Sequence, residues 1–265
     1  MPDLDPAALL AAYDAELRAH IPERLPAGVR VERDGPLHRY VGSEPAGFVG
    51  YRDLAGLEGA ALDDLIARQV AVFAARGEPF EWKLHGHDRP ADLADRLRAA
   101  GFVPEDTETV VVGRVATIAA EPELPQGVTL REVAERPDLD RIAAMEGEIW
   151  GGGREWVADA LEGERSADPE ALTIVLAEGG GRVVSAGWIR FIAGTAFATL
   201  WGGGTLPEWR GRGIYRALVA YRARLAAERG FEYLQVDASD DSRPILERLG
   251  FVAVTTTTPF VWSPA

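Results

Sequence analysis

The sequence predicts two tandem α/β (α+β) lobes, each a mixed, mostly antiparallel twisted sheet flanked by helices. Three observations predict it. The hydrophobic stretch Thr195 to Trp201 reads as a strand, and Trp209-Arg-Gly-Arg-Gly-Ile-Tyr-Arg-Ala-Leu218 then places a glycine- and arginine-rich turn at the mouth of an amphipathic helix. The order of elements after that turn is repeated in the first half of the chain. Between the halves lies an aperiodic stretch bearing Pro122 and Pro125, the composition of a linker.

The repeat can be followed element by element. In the second half a helix over about 214–229 ends at Arg229-Gly230, a strand spans 231–236, and a helix over about 242–249 ends at Gly250-Phe251. In the first half a helix over about 60–76 ends at Arg76-Gly77, with Gly in the place expected after a helix. A strand follows at Phe80 to His85, and a helix from Ala91 to Ala100 ends at Gly101-Phe102. Asp88-Arg-Pro90 and Ser242-Arg-Pro244 open the corresponding helices, and the halves begin alike, Leu25-Pro-Ala-Gly-Val29 against Leu124-Pro-Gln-Gly-Val128. The second half inserts two further helices, Asp138 to Trp150 and Arg154 to Arg165. This divides the chain into a degenerate domain at 1–118, a linker at 119–126 and a complete domain at 127–265. The competing explanation is two ordinary βα segments that share common helix ends.

Composition bounds the function. At 265 residues and 47% hydrophobic, the chain has material for a core, which excludes wholesale disorder. It has no cysteine, which excludes disulfides, thiolate metal sites and a cysteine nucleophile and fits a reducing cytoplasm. Asp3, Asp5 and Asp14 interrupt the start, so it does not read as a signal peptide, and no apolar run reads as a membrane span. A formal charge of −14 argues against nucleic acid as a partner and favours a neutral or cationic small molecule.

Against that charge, Arg210, Arg212 and Arg216 form a local basic knot. Gly211 and Gly213 allow close main-chain approach and positive φ, and the helix start offers N–H groups to a phosphate. A P-loop would carry Lys-Ser or Lys-Thr after the second glycine, where Ile214-Tyr215 stands. A dinucleotide fingerprint, and with it an oxidoreductase, is the nearer rival: Gly211-Arg-Gly213 fits its first half and Asp237 closes the next strand. Arg216 in place of a small residue, and the short chain remaining after Asp237, stand against it.

The ordered motifs resemble the GNAT superfamily of acetyl-CoA-dependent N-acetyltransferases. Arg210-Gly-Arg-Gly213-Ile-Tyr215 is similar to its pyrophosphate signature, Leu206-Pro-Glu-Trp209 to the turn out of its fourth strand, and Phe231 to Val236 to its fifth strand. Ile245-Leu-Glu-Arg-Leu-Gly-Phe251 is similar to the step that closes its core, and the likeness covers about residues 127–265. The resemblance implies acetyl-CoA as co-substrate, no metal, and direct attack by an amine within a ternary complex. It implies cofactor contacts at Gly204, Thr205, Leu206, Arg210, Gly211, Arg212, Gly213, Ile214, Tyr215 and Ser239. The main chain near Gly204 to Leu206 would bond the pantetheine, in a gap opened by Trp201-Gly-Gly-Gly-Thr205, and aim an N–H at the thioester oxygen. Two positions depart from the pattern. Tyr215 replaces a small residue, and Leu246 stands where many members carry a Tyr thought to protonate the thiolate.

Acyl transfer to an amine needs a base and a proton donor. Glu146 and Glu148, on the helix the resemblance places at the acceptor, and Asp237 are the candidate bases. Glu148, Asp237 and Ser242 are taken as the catalytic set. The first half, with Leu57-Glu-Gly-Ala60 before its helix, has no arginine at the equivalent turn and should bind no CoA. His85-Gly-His87-Asp88 raises a metal alternative, with strand-end polarity as the plainer reading. A CoA sensor or scaffold without turnover is the non-enzyme alternative. The chain is expected to be a monomer or homodimer.

Overall fold

The computed structural model describes residues 5–264. The first half runs α1 (Pro6–Glu16), β1 (Arg30–Asp34), β2 (Leu37–Val41), β3 (Gly47–Gly50), α2 (Gly59–Arg76), β4 (Phe80–His85), α3 (Leu93–Ala99), β5 (Val103–Pro104), β6 (Glu108–Arg114) and the single turn α4 (Val115–Ile118). The second runs β7 (Val128–Val133), α5 (Arg136–Trp150), α6 (Glu155–Ala167), β8 (Leu172–Gly179), β9 (Arg182–Phe191), β10 (Phe197–Thr205), α7 (Ile214–Glu228), β11 (Tyr233–Ala238), α8 (Arg243–Arg248) and β12 (Phe251–Trp262). The repeated order is present, and α5 and α6 are the insertion of the second half. Among the described residues no helix is long and apolar enough to cross a membrane.

The strands form one sheet in the order β1-β2-β3-β4-β12-β6-β11-β10-β9-β8-β7, with β5 paired to β12. Among the described residues only β3–β4 and β10–β11 are parallel, and they occupy the same place in each half. The lobes are therefore not closed by their own strands. The last long strand of each half crosses to the other: β6 pairs with β11, β12 pairs with β4, and β6 and β12 pair with each other. A cut at residues 119–126 divides the chain but not the sheet. The reason is visible in β6, where Val110, Val111 and Val112 are fully buried. A continuous apolar run needs cover on both faces and pairing on both edges, and the centre of a sheet provides both.

Alternation assigns the faces. Phe80, Trp82 and Val111 point to the side covered by α2, α3, α7 and α8, where they join two apolar clusters. Val110, Val112 and Phe197 point to the opposite side, beneath Leu9 and Tyr13 of α1. On that same side α5 and α6 pack Leu139, Ile142 and Leu161 on Ile174 and Leu176. Glu81, Lys83 and His85 alternate with Phe80 and Trp82, so they share this second side with α1 and α5.

Candidate active site

The site begins where two parallel strands part. β10 and β11 pair from Phe197↔Tyr233 to Thr199↔Gln235, after which β10 stays with β9 and β11 with β6. A register shift between Gly202 and Thr205 turns β10 away and opens a wedge. Arg222 of α7 pins the turn from below. Its guanidinium is 1% exposed and donates to Leu218 O, Trp188 O and Trp201 O. Desolvation pulls its pKa down to about 10, so the buried cation remains charged at neutral pH.

The predicted phosphate loop lies at the end of the wedge. Gly211 and Gly213 take φ of 71° and 83°, a conformation that side chains resist. Among the described residues, the backbone N–H groups of 211–216 have no acceptor. They converge at the N-terminus of α7, where the helix dipole favours an anion. Arg210 Nε donates to Thr205 O and Arg212 Nη2 to Glu208 O, while Arg212 also stacks 4.8 Å over Trp209. These contacts hold both exposed guanidinium groups beside the free N–H groups. Ile214 contributes its N–H only, since its side chain is core. Arg216 is drawn toward Glu123 at 3.4 Å.

Inside the wedge the catalytic expectations change. Glu148 is exposed and contributes nothing to the wedge; both its oxygens accept from Arg182 at 2.7 Å. Its neighbour Glu146 turns inward and is 6% exposed. Glu146 Oε1 has no hydrogen-bond partner and lies 3.0 Å from where a Cβ on Gly204 would stand. Burial pushes the Glu146 pKa up, opposed by Arg154 and the Trp150 indole. Of the two carboxylates, Glu146 is the one buried beside Gly204 with a free oxygen. The apolar stripe of α5 carries the signal: Leu139, Ile142, Ala143 and Glu146 follow helical spacing.

Asp237 is also engaged. Its Oδ2 accepts from Lys83 Nζ at 2.9 Å and its Oδ1 from Gln235 Nε2 at 2.7 Å. Both its oxygens are therefore already engaged by side chains of the protein. Leu206 cannot offer its N–H to a cofactor, because that group donates to Val184 O at 3.0 Å. The Gly204 carbonyl accepts from Ser185 Oγ, which also meets Thr205 Oγ1. Ser239 and Ser242 sit together just beyond β11, their hydroxyls 3.2 Å apart. Tyr215 fills the space left by Gly203, its ring 2.6 Å from where a Cβ would lie, with the hydroxyl turned toward Ser242. Burial raises the Tyr215 pKa. Leu246 is fully buried core in the cluster against which Tyr215 packs.

In the equivalent wedge of the first half, side chains of the protein take the hydrogen bonds of the strand edge. β3 and β4 part after Val49↔Trp82. Tyr51 then donates to Lys83 O and Asp88 Oδ2, Asp88 Oδ2 also accepts from the His85 N–H, and Arg18 Nη2 donates to Asp88 Oδ1. Side chains of the protein thus satisfy the edge groups that a parted strand leaves free. His85 Nε2 bonds the Tyr13 hydroxyl, and His87 bonds Thr255 and Asp14. Those partners explain the His-Gly-His run. Among the described residues no group of three or more His, Cys, Asp or Glu is placed to hold a metal.

Comparison with known proteins agrees with this geometry. Residues 138–251 match the acetyltransferase (GNAT) family. A mycothiol acetyltransferase from Streptomyces bingchenggensis is 27% identical over 253 residues, 86% of this chain and 81% of that protein. One component of an aspartyl/glutamyl-tRNA(Asn/Gln) amidotransferase from Frankia casuarinae is 34% identical over 148 residues. That match spans 55% of this chain but only a quarter of the relative's length. Among solved structures, a GCN5-related N-acetyltransferase from Kribbella flavida superposes with a TM-score of 0.68 at 20% identity, covering 100% of this chain and 97% of its own. A tandem GNAT protein from the clavulanic acid biosynthesis pathway gives 0.63 at 15% identity, with 97% and 94% covered. These two likenesses establish the fold.

Proposed function

We propose that this protein, whose residues 138–251 match the acetyltransferase (GNAT) family, transfers the acetyl group of acetyl-CoA to the amine of a small molecule, by direct attack in a ternary complex. The observation that carries the reading is the alignment of free N–H groups at 211–216 with a wedge into which a buried carboxylate, Glu146, is turned with one oxygen free of any hydrogen-bond partner. The residues present fit the cofactor: Gly202, Gly203 and Gly204 leave the wedge floor without side chains of their own, and Arg210 and Arg212 stand at its phosphate end.

Acetyl-CoA supplies an activated thioester carbonyl. The N–H groups of 211–216, with Arg210 and Arg212, would hold its pyrophosphate through charge-assisted hydrogen bonds. The acceptor amine must lose a proton to attack. Glu146, lifted by burial, is the group that takes it, directly or through one water. Asp237, fixed by Lys83, shapes the lip of the wedge. The departing thiolate needs a proton late in the reaction. Tyr215, backed by Ser242 and Ser239, offers the phenol that Leu246 lacks.

The test is direct. Purified protein is mixed with acetyl-CoA and a panel of primary amines, with release of free thiol and the mass of the product as readouts. Acetylated amine supports the reading. Tight CoA binding with no transfer to any amine would identify a sensor instead.

A further inference from the structure

The helix that brings Glu146 into the wedge brings a second side chain with it. Glu146 and Trp150 stand four residues apart on α5, one turn along the same face. Both converge on Gly204. A Cβ at Gly204 would lie 3.0 Å from Glu146 Oε1, 3.0 Å from Ile149 Cδ1 and 3.5 Å from Trp150 Nε1. The polar edge of the indole is therefore turned into the wedge, although the residue as a whole is 60% exposed. What stays open is apolar surface at the mouth, next to the carboxylate.

Two features set Trp150 apart from an ordinary surface tryptophan. The first is that nothing beyond α5 confines it from the chain side. The helix ends at Trp150, and Gly151, Gly152 and Gly153 follow. A Cβ on any of these three glycines would meet nothing within 4 Å. The second is that Glu146 Oε1 is buried without a hydrogen-bond partner, although an N–H donor stands beside it. A buried acceptor without a donor is costly. Side chains at this spacing meet on a helix without any change of backbone.

Resting on the acetyltransfer reading, we infer that Trp150 is a positioning residue for that reaction: its indole N–H holds one oxygen of the Glu146 carboxylate, and its ring is the wall against which the carbon body of the acceptor amine packs. A carboxylate offers two oxygens. With one held, the other is aimed at the amine. The open ring suits an amine carried on an apolar, uncharged body. A donor to the ionised form favours that form, so the indole opposes the burial that raises Glu146, as does Arg154 at the start of α6. The other groups nearby leave this balance alone. Tyr215 of α7, against Gly203, is held neutral by burial, and Glu148 on the outer side of α5 is paired with Arg182.

The first test needs no turnover. In nitrogen-15 labelled protein each of the seven tryptophans gives one indole N–H signal, and Trp150→Phe identifies that of Trp150. This signal should titrate with a midpoint above the ordinary carboxylate range of about 4.3, and the titration should be absent in Glu146→Gln. A signal that does not move with pH, or that moves unchanged in Glu146→Gln, overturns the inference. The second test is kinetic, with an amine that the protein acetylates. Trp150→Phe keeps a ring and loses the N–H, so KM should hold while the acid limb of kcat moves up by about 0.5–1 in pH. Trp150→Ala should move the limb as far and also raise KM about tenfold or more. A side chain that only supports the fold would leave the limb in place, and an unmoved limb in both variants overturns the positioning role. An equal KM in Trp150→Ala and the parent overturns the wall. A Trp150 signal that titrates with Glu146 in a protein that acetylates no amine would instead overturn the proposed function and leave the pair standing.

Discussion

Lys83 Nζ lies 2.9 Å from Asp237 Oδ2, although β4 and β11 are separated in the sheet by β12 and β6. Neighbouring strands lie about 4.8 Å apart, so a flat sheet could not bring these side chains together. Strong curvature about the exchanged strands does so, and it places the first half at the mouth of the second half's wedge.

Removing this cation should destabilise the fold. Lys83→Met leaves the Asp237 carboxylate, 13% exposed, without its partner, and breaking a buried pair costs about 3–5 kcal/mol. Adding Asp237→Asn should recover part of the loss. Burial lowers the Lys83 pKa, but Asp237 and Glu81 outweigh it and hold the ammonium above its ordinary range. The ammonium's contribution is therefore complete at neutral pH and is lost as pH rises beyond that range. Urea denaturation of the two single variants and the double variant checks the expectation; unchanged stability in Lys83→Met would remove the pair from the account.

Cofactor affinity should depend on the loop of the second half alone. Arg212→Ala should weaken CoA binding by about 1.5–3 kcal/mol, with the fold intact because Arg212 is exposed. Titration should saturate at one CoA per chain, because Tyr51 and Asp88 occupy the edge groups of the first wedge. Two equivalents bound would show that these contacts give way to a second cofactor.

Glu146 and Glu148 should separate cleanly in kinetics. Glu146→Gln should lower kcat by about 10²–10⁴, the range for a lost general base. Glu148→Gln, which only releases Arg182, should have little effect. Because burial raises the Glu146 pKa, kcat should rise with pH through a limb above the ordinary carboxylate range of about 4.3. Below that limb the base is protonated and inactive. The limb should vanish in Glu146→Gln, and its persistence would assign it to another group.

Tyr215 and Leu246 make opposite predictions. Tyr215→Phe keeps the ring against Gly203 and removes only the hydroxyl, so CoA affinity should hold while kcat falls about tenfold, a modest loss because a thiolate leaves readily. Leu246→Tyr forces a larger, polar side chain into a fully buried site. It should destabilise by about 1–3 kcal/mol or more, without raising turnover. Full turnover in Tyr215→Phe would exclude the phenol as the proton donor.

The sequence by itself determined what depends on contiguous residues. The glycine turn with free N–H groups at the start of α7 was legible because Gly211, Gly213, Arg210 and Arg212 fall within one turn and one helix start. The repeated helix ends were legible because a glycine after a helix is a local requirement. The tertiary structure alone decided what depends on pairing and on the roll of a helix. Glu146 and Glu148 lie two residues apart on opposite sides of α5, and packing against β8 and β9 selects which one enters the wedge. The valine run of β6 shows that the strand is central but not which strands flank it, so the exchange with β12 stayed hidden. Lys83 and Asp237 are 154 residues apart in the chain. Their meeting is fixed by the curvature of a sheet that both halves build together, and no local pattern records it.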